Sequence, residues 1–447
     1  MNCPPRSKIE EEVLKEVRPG KLQEYLLLML YKRLHSVLED CLTWNELKAE
    51  VKPVGSFAKD TYTRDKWELD VFVLFEDVDD SWILQYSEEF LRSCLSRHFP
   101  TVIKYAQHPY VTVTLLGMEA DVVPALKLDS PRKKGLGVER TPFHTEYVMS
   151  KLDACRRDDV RLLKAFFKGI GVYGAETRVR GFSGYLTELL IIHYGSFEKL
   201  IREASRWVPP VYIDIEGIGD REFLEKKYKD SPMIVVDPVD PERNAAAAVS
   251  LKSLSTFVLA SRLYLRSPSR EFFYPFTGET IVKPYGFLVT VECIGDYADS
   301  PPESVWGKAK RGARDLFDTT KQYGFQPLYY TVDTDESKYV RIELVTLENE
   351  LPRVEVAKGP HAWDSLEGVV AFLEKRLKDD YPVWIGEDGR IYGLRARKFR
   401  SLAEIVTQWI SGRAISILGA HQCKSQIGRC SSDYRTCTSI PRWLTID

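Results

Sequence analysis

Three carboxylates and a glycine–serine pair are spaced along this chain as phosphate chemistry would need them. Gly55-Ser56 stands twelve positions ahead of Glu68-Leu69-Asp70. Those acids open an apolar run, 71–75, that reads as a buried strand. Side chains alternate between faces along a strand, so Glu68 and Asp70 share one face and Leu69 takes the other. A later strand-like run carries Asp121, with Glu119 on the same face. If the two strands are neighbours, acids from both converge. Close carboxylates repel one another unless cations neutralise them. Hard divalent ions such as Mg²⁺ suit oxygen ligands and share their shell with substrate phosphates. Two such ions can stabilise the attacking and leaving oxygens of an in-line displacement. Glycine lets a phosphate approach the backbone, serine adds a hydroxyl, and the N–H groups of a helix starting there would face an anion. Metal, phosphate cradle and acceptor hydroxyl amount to nucleotidyl transfer. Taken singly, a Gly-Ser pair is an ordinary turn and Glu-Leu-Asp an ordinary strand with a wet face. Unpaired charge next to a buried run is expensive, and that favours the chemical reading.

The elements that must position these residues follow from periodicity. Ser7 and Glu10 have the form of a capping box, and Ile9, Val13 and Val17 then line one helix face. Pro19-Gly20 stops that helix, and a second runs from about Lys21 to Cys41. Val51 to Val54 is a short apolar segment ahead of Gly55. Trp67 to Phe75 and Val111 to Val123 read as strands, rich in β-branched and aromatic residues. Trp82 to His98 between them has helical spacing, ended by Pro100. From about Lys151 to Leu265 helices dominate, the clear ones being 158–168, 185–194 and 244–265. Beyond Pro268 short strands return at 281–293, 328–332, 339–347 and 383–385, interleaved with helices near 305–317 and 365–378. The expected class is α+β.

Composition narrows the field. The 447 residues are 44% hydrophobic and 29% charged, which excludes disordered, collagen-like and coiled-coil chains. Lys and Arg number 63 against 65 Asp and Glu, so nucleic acid would have to be bound by a local patch. The most apolar N-terminal stretch, Tyr25 to Tyr31, is too short to span a membrane and has no secretory flanks, so a cytoplasmic protein is expected. Eight cysteines in this length suggest no disulfide framework but reduced thiols.

The order GSFAKDTYTRDKWELDVFVLF (55–75), then EADVVP (119–124), resembles the DNA polymerase β-type nucleotidyltransferase superfamily. Downstream, RTPFHTEYV (140–148), VRLLKAFFKGIGVYGAETRVRGFSGYLTELLIIHYGSF (160–197) and VVDPVDPERNAAAAVSL (235–251) are similar to the archaeal class I CCA-adding enzymes. The resemblance implies a polymerase β-like catalytic head with a mixed sheet (1–150), a helical neck for base recognition (151–265), an α+β body (266–305 and 395–447) and an α+β tail (306–394). It selects Asp121 over Glu119, making Glu68, Asp70 and Asp121 the catalytic and metal-binding carboxylates, with two Mg²⁺ ions. It gives nucleotide contacts to Gly55, Ser56, His144, Lys164 and Tyr173, and base recognition to Arg243 and Asn244 at the start of a helix. The implied reaction is template-independent addition of C, C and A to the 3′ end of tRNA from CTP and ATP.

The tRNA needs a grip. Arg390, Arg395, Arg397, Lys398, Arg400 and Arg413 crowd one stretch with a single acid, Glu404, and with Tyr392, Phe399 and Trp409 among them. Lys308, Lys310, Arg311 and Arg314 form a second cluster. Charge runs are commonly solvated faces, but the family context makes these candidates for holding the acceptor stem and T arm by backbone and shape. The oligomeric state stays open, a homodimer included, and no membrane partner is implied. His421, Cys423, Cys430 and Cys437 offer soft ligands, yet the six-residue gaps between the cysteines are not the tight pairs of zinc sites, so an irregular tail is expected. Two rivals remain: another polymerase β-type enzyme, such as a poly(A) or nucleotide-second-messenger synthase, and an inactive RNA-binding scaffold.

Overall fold

Ser7 begins the fold as its spacing predicts. Its hydroxyl accepts the Glu10 N–H while the Glu10 carboxylate accepts the Ser7 N–H, launching α1 (Lys8–Val17). In the computed structural model the described residues are 3, 5–105, 109–131, 137–274, 280–281, 284–431, 433–440 and 442–444. They fall into two units, Met1–Gly278 with Pro441–Asp447, and Glu279–Ile440.

In the first unit, α2 (Lys21–Trp44) buries Leu27, Leu30, Leu34, Leu38 and Leu42 at helical spacing. That stripe lies on a five-stranded sheet in the order β1-β2-β5-β4-β3, built from β1 (Ala49–Val54), β2 (Glu68–Phe75), β3 (Thr101–Tyr105), β4 (Pro109–Leu115) and β5 (Met118–Leu126). A four-residue turn of helix, α3 (Gly55–Ala58), follows β1 directly. The odd residues of β2, Leu69, Val71, Val73 and Phe75, join α2 and two short helices, α4 (Asp80–Gln85) and α5 (Ser87–Leu95), in one core. The even residues face the other way, Phe72 and Leu74 packing with Val54 and Ala125. Alternation thus places Glu68 and Asp70 on the face away from the main core.

Two expectations are corrected here. The run 111–123 is not one strand but the hairpin β4–β5, because Leu116 (φ 52°) and Gly117 (φ 79°) both take the left-handed conformation a two-residue turn needs. Glycine adopts it freely, whereas leucine there gives the sequence no warning. The single helix expected over 82–98 is broken at Tyr86 into α4 and α5.

The rest of this unit is helical: α6 (Arg140–Lys151), α7 (Ala154–Gly169), α8 (Gly184–Tyr194), α9 (Phe197–Ala204), α10 (Arg221–Lys227) and α11 (Leu251–Arg266), with a small parallel pair, β6 (Val211–Ile213) and β7 (Met233–Val235). Phe166, Phe167, Phe182 and Phe257 stack at its centre. The helix expected from Asn244 begins instead at Leu251, where the Ser250 hydroxyl accepts the Ser253 N–H. Asn244 forms a bridge with Val236, and that pairing excludes helix.

In the second unit, β8 (Thr280–Ile281) pairs with Ser439–Ile440. A four-stranded antiparallel sheet, order β10-β11-β9-β15, joins β9 (Phe287–Ile294), β10 (Pro327–Thr334), β11 (Tyr339–Thr346) and β15 (Gln422–Arg429). It packs with α12 (Pro302–Gln322) and α14 (Leu402–Trp409). A three-stranded sheet, order β12-β14-β13, contains β12 (Val354–His361), β13 (Val383–Ile385) and β14 (Arg390–Ala396), and α13 (Leu366–Leu377) packs on it. The strand expected over 281–293 is therefore two segments; residues 282 and 283 lie outside the described residues. The α+β class holds throughout, and no described helix is long and apolar enough to cross a membrane.

The cysteines overturn the expectation of reduced thiols. All eight are paired: Cys3–Cys155, Cys41–Cys94, Cys293–Cys423 and Cys430–Cys437. Cys41 and Cys94 meet where α2 crosses α5, and Cys293 and Cys423 are register partners on β9 and β15. Three of the pairs are separated by 152, 53 and 130 residues, so no local spacing announces them. His421 joins no soft-ligand cluster; its Nε2 lies 3.1 Å from Asp296 Oδ2. The bridge across 53 residues is worth about 4 kcal/mol on chain-entropy grounds. Thiol titration of the denatured, unreduced chain is expected to find no reactive cysteine, and all eight after reduction. Reactive thiols before reduction would remove these cross-links.

Candidate active site

β2 and β5 run parallel, and their register sets Asp70 directly beside Asp121 and Glu68 beside Glu119. Antiparallel pairing of β1 with β2 puts Val54 opposite Asp70, so the chain turns into α3 at Gly55 immediately next to that acid. Gly55 has φ 67°, and a Cβ there would overlap Asp70 Oδ2. Only glycine permits this approach of turn to carboxylate. The Gly55 N–H donates to Thr145 Oγ1 of α6 at 3.3 Å, and Ser56 follows on the same turn.

The two central acids disturb each other. Burial, then the charge of Asp121, pushes the Asp70 carboxyl up to about 6, with Lys59 opposing. Asp121 is also raised, chiefly by burial, with Glu119 and Glu68 adding to it. The Thr112 hydroxyl donates to Asp121 Oδ1 at 2.6 Å and fixes its rotamer. Glu68 stands further out and is bound by Lys66 at 2.8 Å; Glu119 is bound by Lys104 at 3.2 Å. Among the described residues no three such groups close around one point. The structure therefore brings Asp70 and Asp121 together, while Glu68 lies on the same face engaged with a lysine. This oxygen-only donor set, charged against itself, fits hard divalent cations.

Lys164, expected to contact nucleotide, is buried. Its ammonium donates to the Thr61 carbonyl at 2.9 Å and the Thr61 hydroxyl at 3.3 Å, and lies 3.9 Å from Glu188. Burial lowers it to about 8 against the pull of Glu188. Lys59 and the Thr61 hydroxyl bind the two Glu188 oxygens at 2.5 and 2.6 Å. Neighbours along α7 do the same. Arg161 donates to the carbonyls of Asp60 (2.7 Å) and Tyr62 (3.0 Å), and Lys168 to Thr63 Oγ1 (3.1 Å) and Asp65 (2.6 Å). One face of α7 thus clamps the loop that links the Gly55-Ser56 turn to β2. The Tyr173 ring sits 5.5 Å from the Lys168 ammonium, and burial raises its hydroxyl.

His144 and Arg243, far apart in sequence, end on one carboxylate, Asp237, at 2.9 and 2.6 Å. Asn244 does not face outward. Its amide nitrogen donates to Met233 O at 2.9 Å, and its oxygen accepts the N–H groups of Val235 and Ala246 at 2.9 and 2.8 Å. It buttresses β7 beneath Arg243. Sequence reasoning missed Lys59, Glu188, Thr112, Tyr185 and Asp237; the last stands before a proline, within the motif 235–251.

In the second unit, Arg395 and Arg397 both bind Glu355, at 2.6 and 2.7 Å, and Arg397 is largely buried. Arg390 donates to the Gly359 carbonyl at 3.2 Å. Lys398, Arg400 and Arg311 are exposed, and Lys308 and Lys310 are partly so.

Two family models match, "Nucleotidyltransferase domain" over residues 35–144 and "tRNA nucleotidyltransferase, second domain" over residues 158–274. The chain is 45% identical over 394 residues to the CCA-adding enzyme of Aeropyrum pernix, covering 87% of this chain and 84% of that protein. It belongs to the CCA-adding enzyme family. The corresponding protein of Sulfurisphaera tokodaii is 40% identical, with 90% and 92% covered, and that of Pyrobaculum islandicum 37%, with 90% and 93% covered. The residues matched by the nucleotidyltransferase-domain model include all five strands, β1 to β5, of the first unit's large sheet.

The raised Asp70 carboxyl has a stability consequence with a definite sign. The folded protein holds the proton up to about 6 while the unfolded chain releases it near 3.8. Metal-free protein therefore loses stability from this group as pH rises across that interval. Relative to wild type in EDTA, Asp70→Asn is expected to gain in Tm between pH 4 and pH 7, with little further change above. A pH-independent difference would sink the coupling.

Proposed function

We propose that this protein adds C, C and A to the 3′ end of tRNA from CTP and ATP without a nucleic-acid template. The reading is carried by the register that sets Asp70 beside Asp121, next to the Gly55 turn. Its substrate follows from membership in a family whose curated relatives are named CCA-adding enzymes. Glu68, Asp70 and Asp121 would hold divalent cations, two Mg²⁺ on this reading. Bound there, they would acidify the attacking hydroxyl and screen the charge of the departing pyrophosphate. Glu68 can join by exchanging Lys66 for a cation, since its side chain is 57% exposed.

The chain's own residues do the rest. The backbone at Gly55 and the Ser56 hydroxyl receive the triphosphate, with His144 and Tyr173 lining the approach, while buried Lys164 acts from behind by holding Thr61. Arg243 reads the base, supported from below by Asn244. The tRNA 3′-oxygen attacks the α-phosphorus, the bond to the β-phosphate oxygen breaks, and pyrophosphate leaves. The acceptor stem and T arm are held by the basic residues of the second unit. Lys398, Arg400 and Arg311 serve as phosphate contacts, and Arg397 as a strut.

Incubating the protein with tRNA lacking its terminal CCA, CTP and ATP should extend it by CCA and stop. Asp70→Ala and Asp121→Ala should each cut the rate at least about a hundredfold, several kcal/mol of barrier, and leave tRNA binding intact. Long A tails would favour a poly(A) polymerase; no extension would favour a scaffold. Arg311→Ala and Lys398→Ala should each weaken tRNA binding and lower the slope of log affinity against log salt by about one. Unchanged affinity and slope would take that residue out of the interface.

A further inference from the structure

Asp237, just past β7, is completely buried. Four donors converge on its two oxygens. Tyr185 OH (2.9 Å) and the Val239 N–H (3.0 Å) meet Oδ1; the Arg243 guanidinium (2.6 Å) and His144 Nε2 (2.9 Å) meet Oδ2. The donors come from α6, α8 and the loop after β7. The His144 imidazole also lies flat on the Tyr185 ring, with centroids 4.1 Å apart and planes inclined by 27°. The main chain repeats the link, Asp237 N–H donating to Arg243 O at 3.1 Å. Burial alone would raise this carboxyl. The bond and charge of His144, the Val239 N–H and Arg243 together hold it far below the ordinary carboxylate range.

An anion this deep is costly unless its bonds serve a purpose that apolar packing could not. The two basic groups it holds are not themselves buried to the same degree. Arg243 is 37% exposed and His144 13%, so each is fixed at one end and open at the other. A guanidinium is planar and rigid, so pinning one nitrogen sets the plane in which its other donors point. The bond at Nε2 and the stacking on Tyr185 together fix the plane of the His144 ring.

We propose that Asp237 is the positioning residue of nucleotide selection: it orients Arg243 and His144 together, so that base and phosphate of the incoming nucleotide are read in one fixed geometry. This rests on the reading of those two residues as nucleotide contacts. Asp237 touches no substrate itself and acts through them, with Tyr185 locking the other carboxylate oxygen.

The test is steady-state kinetics of the full chain on tRNA lacking CCA, with CTP, ATP and UTP as competing nucleotides. Asp237→Asn should raise the KM for CTP about tenfold, the scale of one charged hydrogen bond lost. It should narrow the preference for CTP over UTP and leave the KM for tRNA unchanged. Acting through Arg243, it should add nothing further to Arg243→Ala in the double variant. Equal rises in both KM values, an unchanged KM for CTP, or independent effects in the double variant would overturn the proposal. A silent Arg243→Ala would overturn the nucleotide-contact reading as well, whereas an effective Arg243→Ala with a silent Asp237→Asn would overturn this proposal alone. Should Asp237→Asn not fold, Tyr185→Phe, which frees Oδ1 from a side-chain donor, should raise the KM for CTP severalfold; no change there would overturn it equally.

Discussion

Two like charges forced together by backbone pairing are the constraint on which the rest of the molecule depends. The parallel register of β2 and β5 leaves Asp70 and Asp121 no way to separate without breaking the sheet. Burial, which should make such a pair untenable, is supplied by the same elements that form the site. The molecule bears the repulsion by shifting protonation: Asp70 holds its proton up to about 6. Gly55 keeps that arrangement accessible, because any side chain there would occupy the space against Asp70.

Around this centre the protein uses charge as a structural material. Lys59, Lys164 and Glu188 form a buried ionic network in which two ammonium groups and a hydroxyl share one carboxylate. Its Coulombic gain must offset the loss of three hydration shells, and networks of this kind hold only when every donor is matched. Here the Thr61 carbonyl completes the set on Lys164. Asp237 plays the corresponding part for His144, Tyr185 and Arg243. Both networks join elements distant in sequence, and both fix side chains around a single buried carboxylate.

The shared face of Glu68 and Asp70 was legible in the sequence because strand alternation and a flanking apolar run act locally, whereas the choice of Asp121 over Glu119 came from the family resemblance. Capping of α1 by Ser7 and the existence of α2 were legible for the same reason. What escaped depended on conformation or on distance. Leu116 in a left-handed turn hid the β4–β5 hairpin, and the alanines after Asn244, good helix formers, masked a segment that bridges to Val236 instead. The disulfides escaped because most partners are tens of residues or more apart. Lys164 was expected to contact nucleotide, and nothing in its helix reveals that loop 60–65 lies across that face and takes its ammonium; the role of Asp237 was masked by the prolines around it.

The grip of α7 on loop 60–65 has a mechanical consequence. With the Asp60, Tyr62 and Thr61 carbonyls held by Arg161 and Lys164, the segment between Ser56 and Glu68 has little freedom to shift unless the helix shifts too. A tug on the Gly55-Ser56 turn is therefore transmitted to a helix whose first turn is tied to Cys3 by the Cys3–Cys155 bridge. Stiffness of that kind lets a small displacement at one end be felt undiminished at the other.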